Sequence, residues 1–196
     1  MTTTIPDMFR LRPGRTHEAC GPAAASFAAI AAAGVTGNFL WVRERWVTGR
    51  LNPLGLHRFL DPARLLLAEV ADQTEALAVA EEALRDGALR LIVTELSQPL
   101  SLTQGRRLQL AAQAGSSIGL GLIPEGLGSN ATETRWLCSP VFDPAEKADS
   151  TLQEWKLIKN KSGTLGHWHV RWDAKAHRLD VVSPVGERPG PTASAG

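Results

Sequence analysis

The stretch RTHEACGPAAASFAAIAAAG, residues 15–34, reads as a short strand, a glycine turn and an alanine-rich helix. Residues 15–20 end against Gly21. The helix is predicted over 22–33, with a proline in its first turn and Gly34 past its end. The same order repeats outward. NFLWV at 38–42 is a buried strand, 54–60 a short helix closed by Asp61-Pro62, and RLLLAEV at 64–70 another strand. Residues 72–85 form a helix with Asp72 and Glu75 spaced as a capping box, one apolar stripe through Ala76, Leu77, Ala80, Ala83 and Leu84, and a stop at Gly87. LRLIV at 89–93 runs into Thr94 and Glu95. A helix over 102–114 turns Leu108, Leu110 and Ala111 inward, and SIGLGLI at 117–123 is a further buried strand. Strands alternating with helices predict an α/β domain whose mostly parallel sheet is covered on both faces.

The last third has a different pattern. Residues 134–141, 152–159, 167–172 and 178–182 are strand-like and joined by turn residues, which predicts an antiparallel extension of the parallel core. Within 167–172, Trp168, Val170 and Trp172 alternate with His167, His169 and Arg171. Residues 1–14 read as a flexible arm, 15–185 as the folded domain and 186–196 as a disordered Gly/Pro/Ala tail.

Composition narrows the function. With 196 residues, 43% hydrophobic and 21% charged, the chain is a globular protein of one ordinary domain. A net charge of +1 selects no polyanionic partner, so nucleic-acid affinity would need a local basic patch. The two cysteines make no disulfide framework, and no apolar run is long enough for a membrane span; both features predict a cytoplasmic protein, with nucleoid association if DNA is a partner.

A strand, a glycine and a helix also mark the position of a phosphate-binding loop, G-x-x-x-x-G-K-[ST]. Counted from Gly21, the second glycine is replaced by Ser26, the lysine by Phe27 and the hydroxyl residue by Ala28. Neither Phe27 nor Ala28 can hold phosphate or magnesium, so no cofactor and no ATP chemistry are expected. Glu95, at the end of its strand, sits where an NTPase keeps a metal-holding acid; without the lysine it reads as a polar strand end, and a weak NTPase is the enzyme alternative.

Several stretches carry a family resemblance: GRTHEACGPAAASFA at 14–28, NFLWVRER at 38–45, the run from LDPARLLL through RLIVTEL at 60–96, and LSLTQGRRLQLAAQAGSSIGLGL at 100–122. TRWLCSPV at 134–141 and EWKLIKNKSGTLGHWHVRWD at 154–173 extend it. Together they resemble the ImuA family of bacterial damage-inducible mutagenesis proteins, relatives of RecA and of the cell-division inhibitor SulA. The resemblance implies a RecA-like α/β core with a degenerate phosphate loop, no enzymatic activity, and an accessory role in error-prone translesion synthesis. It implies an ImuB-like Y-family homologue as partner, together with RecA or an error-prone C-family polymerase. A SulA-like inhibitor that binds FtsZ, and a direct single-stranded DNA binder, are the alternatives. RecA relatives self-associate, so a homo-oligomer is consistent with the resemblance.

Candidate contact residues follow from charge and exposed aromatics. Arg106 and Arg107 begin the helix after Glu95; they can neutralise phosphates or simply form a solvated helix face. Lys156, Lys159, Lys161 and Arg171 form a basic stretch with Trp155, Trp168 and Trp172 interleaved. That stretch suits single-stranded DNA or an acidic protein, although the alternation turns Trp168 and Trp172 toward the core. Trp46, just past a strand end, is a candidate partner anchor or a packed loop residue. His167 and His169 share a strand face, but two ligands are too few for a metal site and neither cysteine is near in sequence.

Overall fold

The computed structural model describes residues 3–143 and 151–184. Strand β1 (Arg15–Cys20) leads through Gly21 into α1 (Ala24–Ala33), and β2 (Phe39–Glu44), α2 (Pro53–His57), β3 (Leu65–Val70), α3 (Gln73–Asp86), β4 (Leu91–Glu95), α4 (Leu102–Gly115) and β5 (Ile118–Leu122) continue the alternation. Strands β6 (Thr134–Pro140), β7 (Gln153–Asn160), β8 (Gly166–Asp173) and β9 (Arg178–Pro184) complete the chain's regular structure. All belong to one nine-stranded sheet ordered β3-β2-β4-β5-β1-β6-β7-β8-β9. The strands from β3 to β6 in that order run parallel, and β7, β8 and β9 are antiparallel. The expected α/β class with an antiparallel extension is observed, and the order is consistent with a RecA-like core.

The caps follow the sequence. The Asp72 side chain accepts from the Glu75 N–H at 2.9 Å, and α3 ends at Gly87 with φ +76°. Helix α4 has a full capping box, Ser101 with Gln104, and ends at Ser116 in the left-handed region. Its expected inward residue Leu110 is exposed, because Ala111, Ala112 and half-buried Leu108 already fill the face toward the sheet. Helix α1 starts at Ala24 rather than residue 22, and α2 starts at Pro53, where the Asn52 side chain accepts from the Leu54 N–H.

The sheet has two different faces. Helices α3 and α4 cover one side of the parallel core, over Val42, Ile92 and Ala111. On the other side α1 lies over β1 and β6. There Phe27 stacks edge-on to Trp155 at 4.7 Å and tilts over Trp136 at 5.5 Å. Such ring pairs contribute ~0.5–1.5 kcal/mol each beyond the area they bury. Trp172 is also buried and Trp168 packs against the same cluster, as the alternation predicts.

Two expectations are corrected. Residues 134–141 were expected within the antiparallel part, but β6 pairs parallel to β1, with Ala19 opposite Trp136, and only its other edge meets an antiparallel partner, β7. Residues 3–14 are not a free arm. Ile5, Phe9 and Leu11 are buried in the main core, a 3-10 turn forms at Asp7–Phe9, and Phe9 meets Trp155 and Trp168 at 5.3 Å. Thr4 exchanges backbone hydrogen bonds with His177 and Leu179, which ties this segment to the start of β9. The expected tail at 186–196 lies outside the described residues. At the opposite border of the sheet, β3 pairs on one side only and leaves Leu66 and Leu67 exposed.

Because Phe9 is a core residue, Phe9→Ala should lower stability by about 3 kcal/mol in urea unfolding; a flexible arm would give almost none.

Candidate functional site: the carboxyl ends of the strands

The turn between β1 and α1 is held by the neighbouring strand. Gly21 has φ +89°, and a Cβ there would lie 2.5 Å from the Cys138 carbonyl oxygen, so only glycine fits. That carbonyl accepts the Ala23 N–H at 3.0 Å, and the Gly21 carbonyl accepts the Ala24 N–H at 3.1 Å. Pro22 has no N–H to give. The Ala23 and Ala24 N–H groups are thus engaged within the protein and not turned to an anion. Since α1 begins at Ala24, Ser26, Phe27 and Ala28 are helical, with Ser26 half-buried and Phe27 and Ala28 in the core.

Beside this turn a cleft of about 330 Å³ opens among Ala25, Glu44, Trp46, Glu95, Ser97 and Pro124. Trp46 stands on its rim, 62% exposed, and donates its indole N–H to Glu44 Oε2 at 2.6 Å. The Ser97 hydroxyl donates to Glu44 Oε1 at 2.5 Å, and Gln73 Oε1 accepts the Gln98 N–H at 2.8 Å. Glu95 accepts from the buried Trp41 indole at 2.8 Å and pairs with Arg43 at 3.5 Å. It is a strand-end acceptor saturated by its own sheet, and Trp41 lies in the core as expected.

The predicted basic residues fall into two groups. On α4, Arg106 is exposed and Arg107 pairs with Glu81 of α3 at 2.7 Å. On the antiparallel strands the cations are largely spoken for. Lys156 pairs with Glu154 at 2.8 Å, and Arg171 pairs with Asp143. Lys159 donates to the carbonyls of Ser129, Asn130 and Thr132, and Lys161, just past β7, donates to that of Ala131 at 2.6 Å. Burial, then Lys161 and Arg135, hold the Lys159 ammonium below the usual lysine range. These lysines fasten the loop before β6, where the buried Glu18 carboxylate also accepts from the Ser129 N–H at 2.8 Å and from Arg135 at 2.7 Å. Trp155 and Trp172 face the core and Trp168 packs against it, so the stretch offers no aromatic platform for stacking bases.

One cluster escaped the sequence reading. Glu154 of β7 lies opposite His169 of β8, and His167 is the next residue on the same face. Glu154 Oε1 is 2.6 Å from His167 Nε2 and 3.9 Å from His169 Nε2. Burial would raise the Glu154 carboxyl, but hydrogen bonds from Lys156 and His167 hold it below the ordinary range. The histidine alternation gave two members; the third needed the hairpin register. Cys20 and Cys138 are both buried free thiols, and burial pushes each above the ordinary thiol range.

The strand order, the helices on both faces and the turn after β1 are those of an α/β protein consistent with a RecA-like fold, with a cleft at the carboxyl ends of the strands. The chain is similar to Protein ImuA of Caulobacter vibrioides, from strains NA1000 and CB 15, with 27% identity over 198 aligned positions. The match takes in 90% of this chain and 80% of the relative, and it supports the ImuA-family resemblance drawn from the sequence. The chain matches no known family profile. No helix among the described residues is long and apolar enough to cross a membrane.

Further back on β1, where Arg12 and the start of β6 pack against it, His17 is a buried neutral group. Its Nε2 accepts the Arg12 N–H at 3.1 Å, so Nδ1 carries the proton toward Thr134 Oγ1 at 2.7 Å. Burial lowers its pKa from 6.5 to about 4. The folded state therefore resists protonation: the contribution is complete above pH 6.5 and is lost as pH falls toward 4. Thermal or urea unfolding should show a loss of about 3 kcal/mol across that window, and His17→Gln should flatten the slope there.

Proposed function

We propose that this chain is a non-enzymatic accessory protein of damage-inducible mutagenesis, and that it acts in error-prone translesion synthesis by docking an ImuB-like Y-family homologue. The similarity to ImuA supports the role in mutagenesis. The observation that carries the non-enzymatic reading is the β1–α1 turn. Its Ala23 and Ala24 N–H groups are bonded to the Cys138 and Gly21 carbonyls, and an aromatic ring packed in the core stands at the position of a phosphate-binding lysine. The fold keeps the cleft of a nucleotide-binding protein and offers it as a surface. The exposed Trp46, with Glu44 beneath it, is the docking anchor, since tryptophan at the edge of a formed cleft is a typical hot-spot residue. RecA and a C-family polymerase join through the same assembly rather than through catalysis by this chain, which works in the cytoplasm.

The test is size-exclusion chromatography of the purified chain with its cognate ImuB homologue. Co-elution is expected, and Trp46→Ala should weaken binding at least ~10-fold, about 1.4 kcal/mol, without changing the melting temperature. Separate peaks at tens of micromolar would overturn the docking reading. Binding to FtsZ in place of the ImuB homologue would instead favour the SulA-like alternative. In parallel, magnesium–ATP should leave the melting temperature unchanged, and a saturable rise would overturn the non-enzymatic reading.

A further inference from the structure

We infer that Glu154, His167 and His169 form a three-ligand site for a divalent transition-metal ion, with zinc the best chemical fit. The carboxylate oxygen and the two imidazole nitrogens lie within 4.8 Å of one another. Around zinc, ligand atoms sit at ~2.0–2.1 Å from the ion and so about 3.3 Å from each other. The 2.6 Å contact from Glu154 to His167 would widen and the 3.9 Å separation from His169 would close, each by less than about 1 Å. Side-chain rotation supplies that movement without any change in the backbone.

The backbone beneath the three ligands is fixed. Glu154 and His169 are direct partners across β7 and β8, and His167 lies opposite Lys156. Trp155 and Val170, which follow ligands, are buried in the main core, and Trp168 between the two histidines packs against it. Ligands carried on packed strands hold their geometry better than ligands on loops. The donor set of two imidazoles and one carboxylate excludes magnesium and calcium, which take oxygen cages, and matches zinc sites that keep a fourth position open. Lys156 grips the other carboxylate oxygen, Oε2, at 2.8 Å, which leaves Oε1 turned toward the histidines. Binding takes the proton from His167 Nε2, which in the neutral ring moves to Nδ1, and the metal replaces the hydrogen bond made there. The side chains are 24–31% exposed, so an ion can enter and the fourth ligand is water or a donor from a docked protein. Bound metal clamps β7 to β8 and braces the antiparallel extension.

The test uses the full chain without a histidine tag. Calorimetric titration with zinc chloride at neutral pH should give one ion per chain, and the melting temperature should rise with zinc concentration. Cobalt should bind with the visible bands of a four-coordinate ion. His169→Ala should cost at least ~30-fold in affinity. Glu154→Gln, which keeps the shape of the side chain, should also weaken binding and abolish the zinc-dependent rise in melting temperature. No saturable binding up to about 100 μM zinc would overturn the site. So would binding that survives both substitutions, because the ion would then sit on the other histidines of the chain.

Discussion

The packing of Phe27 against Trp136 and Trp155 constrains this molecule more than any other contact. It fixes α1 against β6 and β7, so the helix cannot withdraw to leave a wide loop after β1. The helix begins at Ala24, and the turn is short enough for the Cys138 carbonyl to reach the Ala23 N–H. A cationic side chain at position 27 would be buried among aromatic rings without a counter-ion, a placement that costs several kcal/mol. Core and cleft are thus coupled: the group that strengthens one removes phosphate chemistry from the other. Phe9 closes the same ring cluster from the opposite end, which is why the first residues belong to the core.

The sheet divides its labour by face. Helices α3 and α4 cover the parallel strands with small residues, and Ala76, Ala80, Ala111 and Ala112 allow close approach. The antiparallel strands bury tryptophans on the α1 side and present Glu154, Lys156, His167 and His169 on the other. Between these regions the loop before β6 is anchored by Glu18, Arg135 and Lys159. Those charges act inside the molecule. The exposed cleft with Trp46 and the histidine face remain open to a partner.

Local signals in the sequence identified the elements, and long-range contacts decided what the sequence could not. Asp72 and Gly87 marked α3 because caps act within one turn. The loss of the lysine and hydroxyl after Gly21 was readable by counting. That the Ala23 N–H is also engaged was not, because its acceptor, Cys138, lies on a strand far along the chain. The strand 134–140 alternates like any other, and nothing local in it gives its direction beside β1. Ile5, Phe9 and Leu11 lack helical or strand periodicity, so their burial was hidden among prolines and arginines. The basic stretch at 156–171 read as a free patch since its distant partners, carbonyls of residues 129–132 and the carboxylate of Asp143, join it only in the fold, and Glu154, which pairs with Lys156, stands just outside it. His167 and His169 were visible as a pair, but Glu154 joins them only through the register of β7 and β8.

The outer border formed by β3 has a material consequence. Among the described residues its outer edge pairs with no strand, and Leu66 and Leu67 stand exposed beside it, the features by which an edge strand takes up an extended peptide. An edge strand of this kind is the border along which one sheet can pair with another, and folded proteins commonly shield such edges with charge, proline or a covering segment.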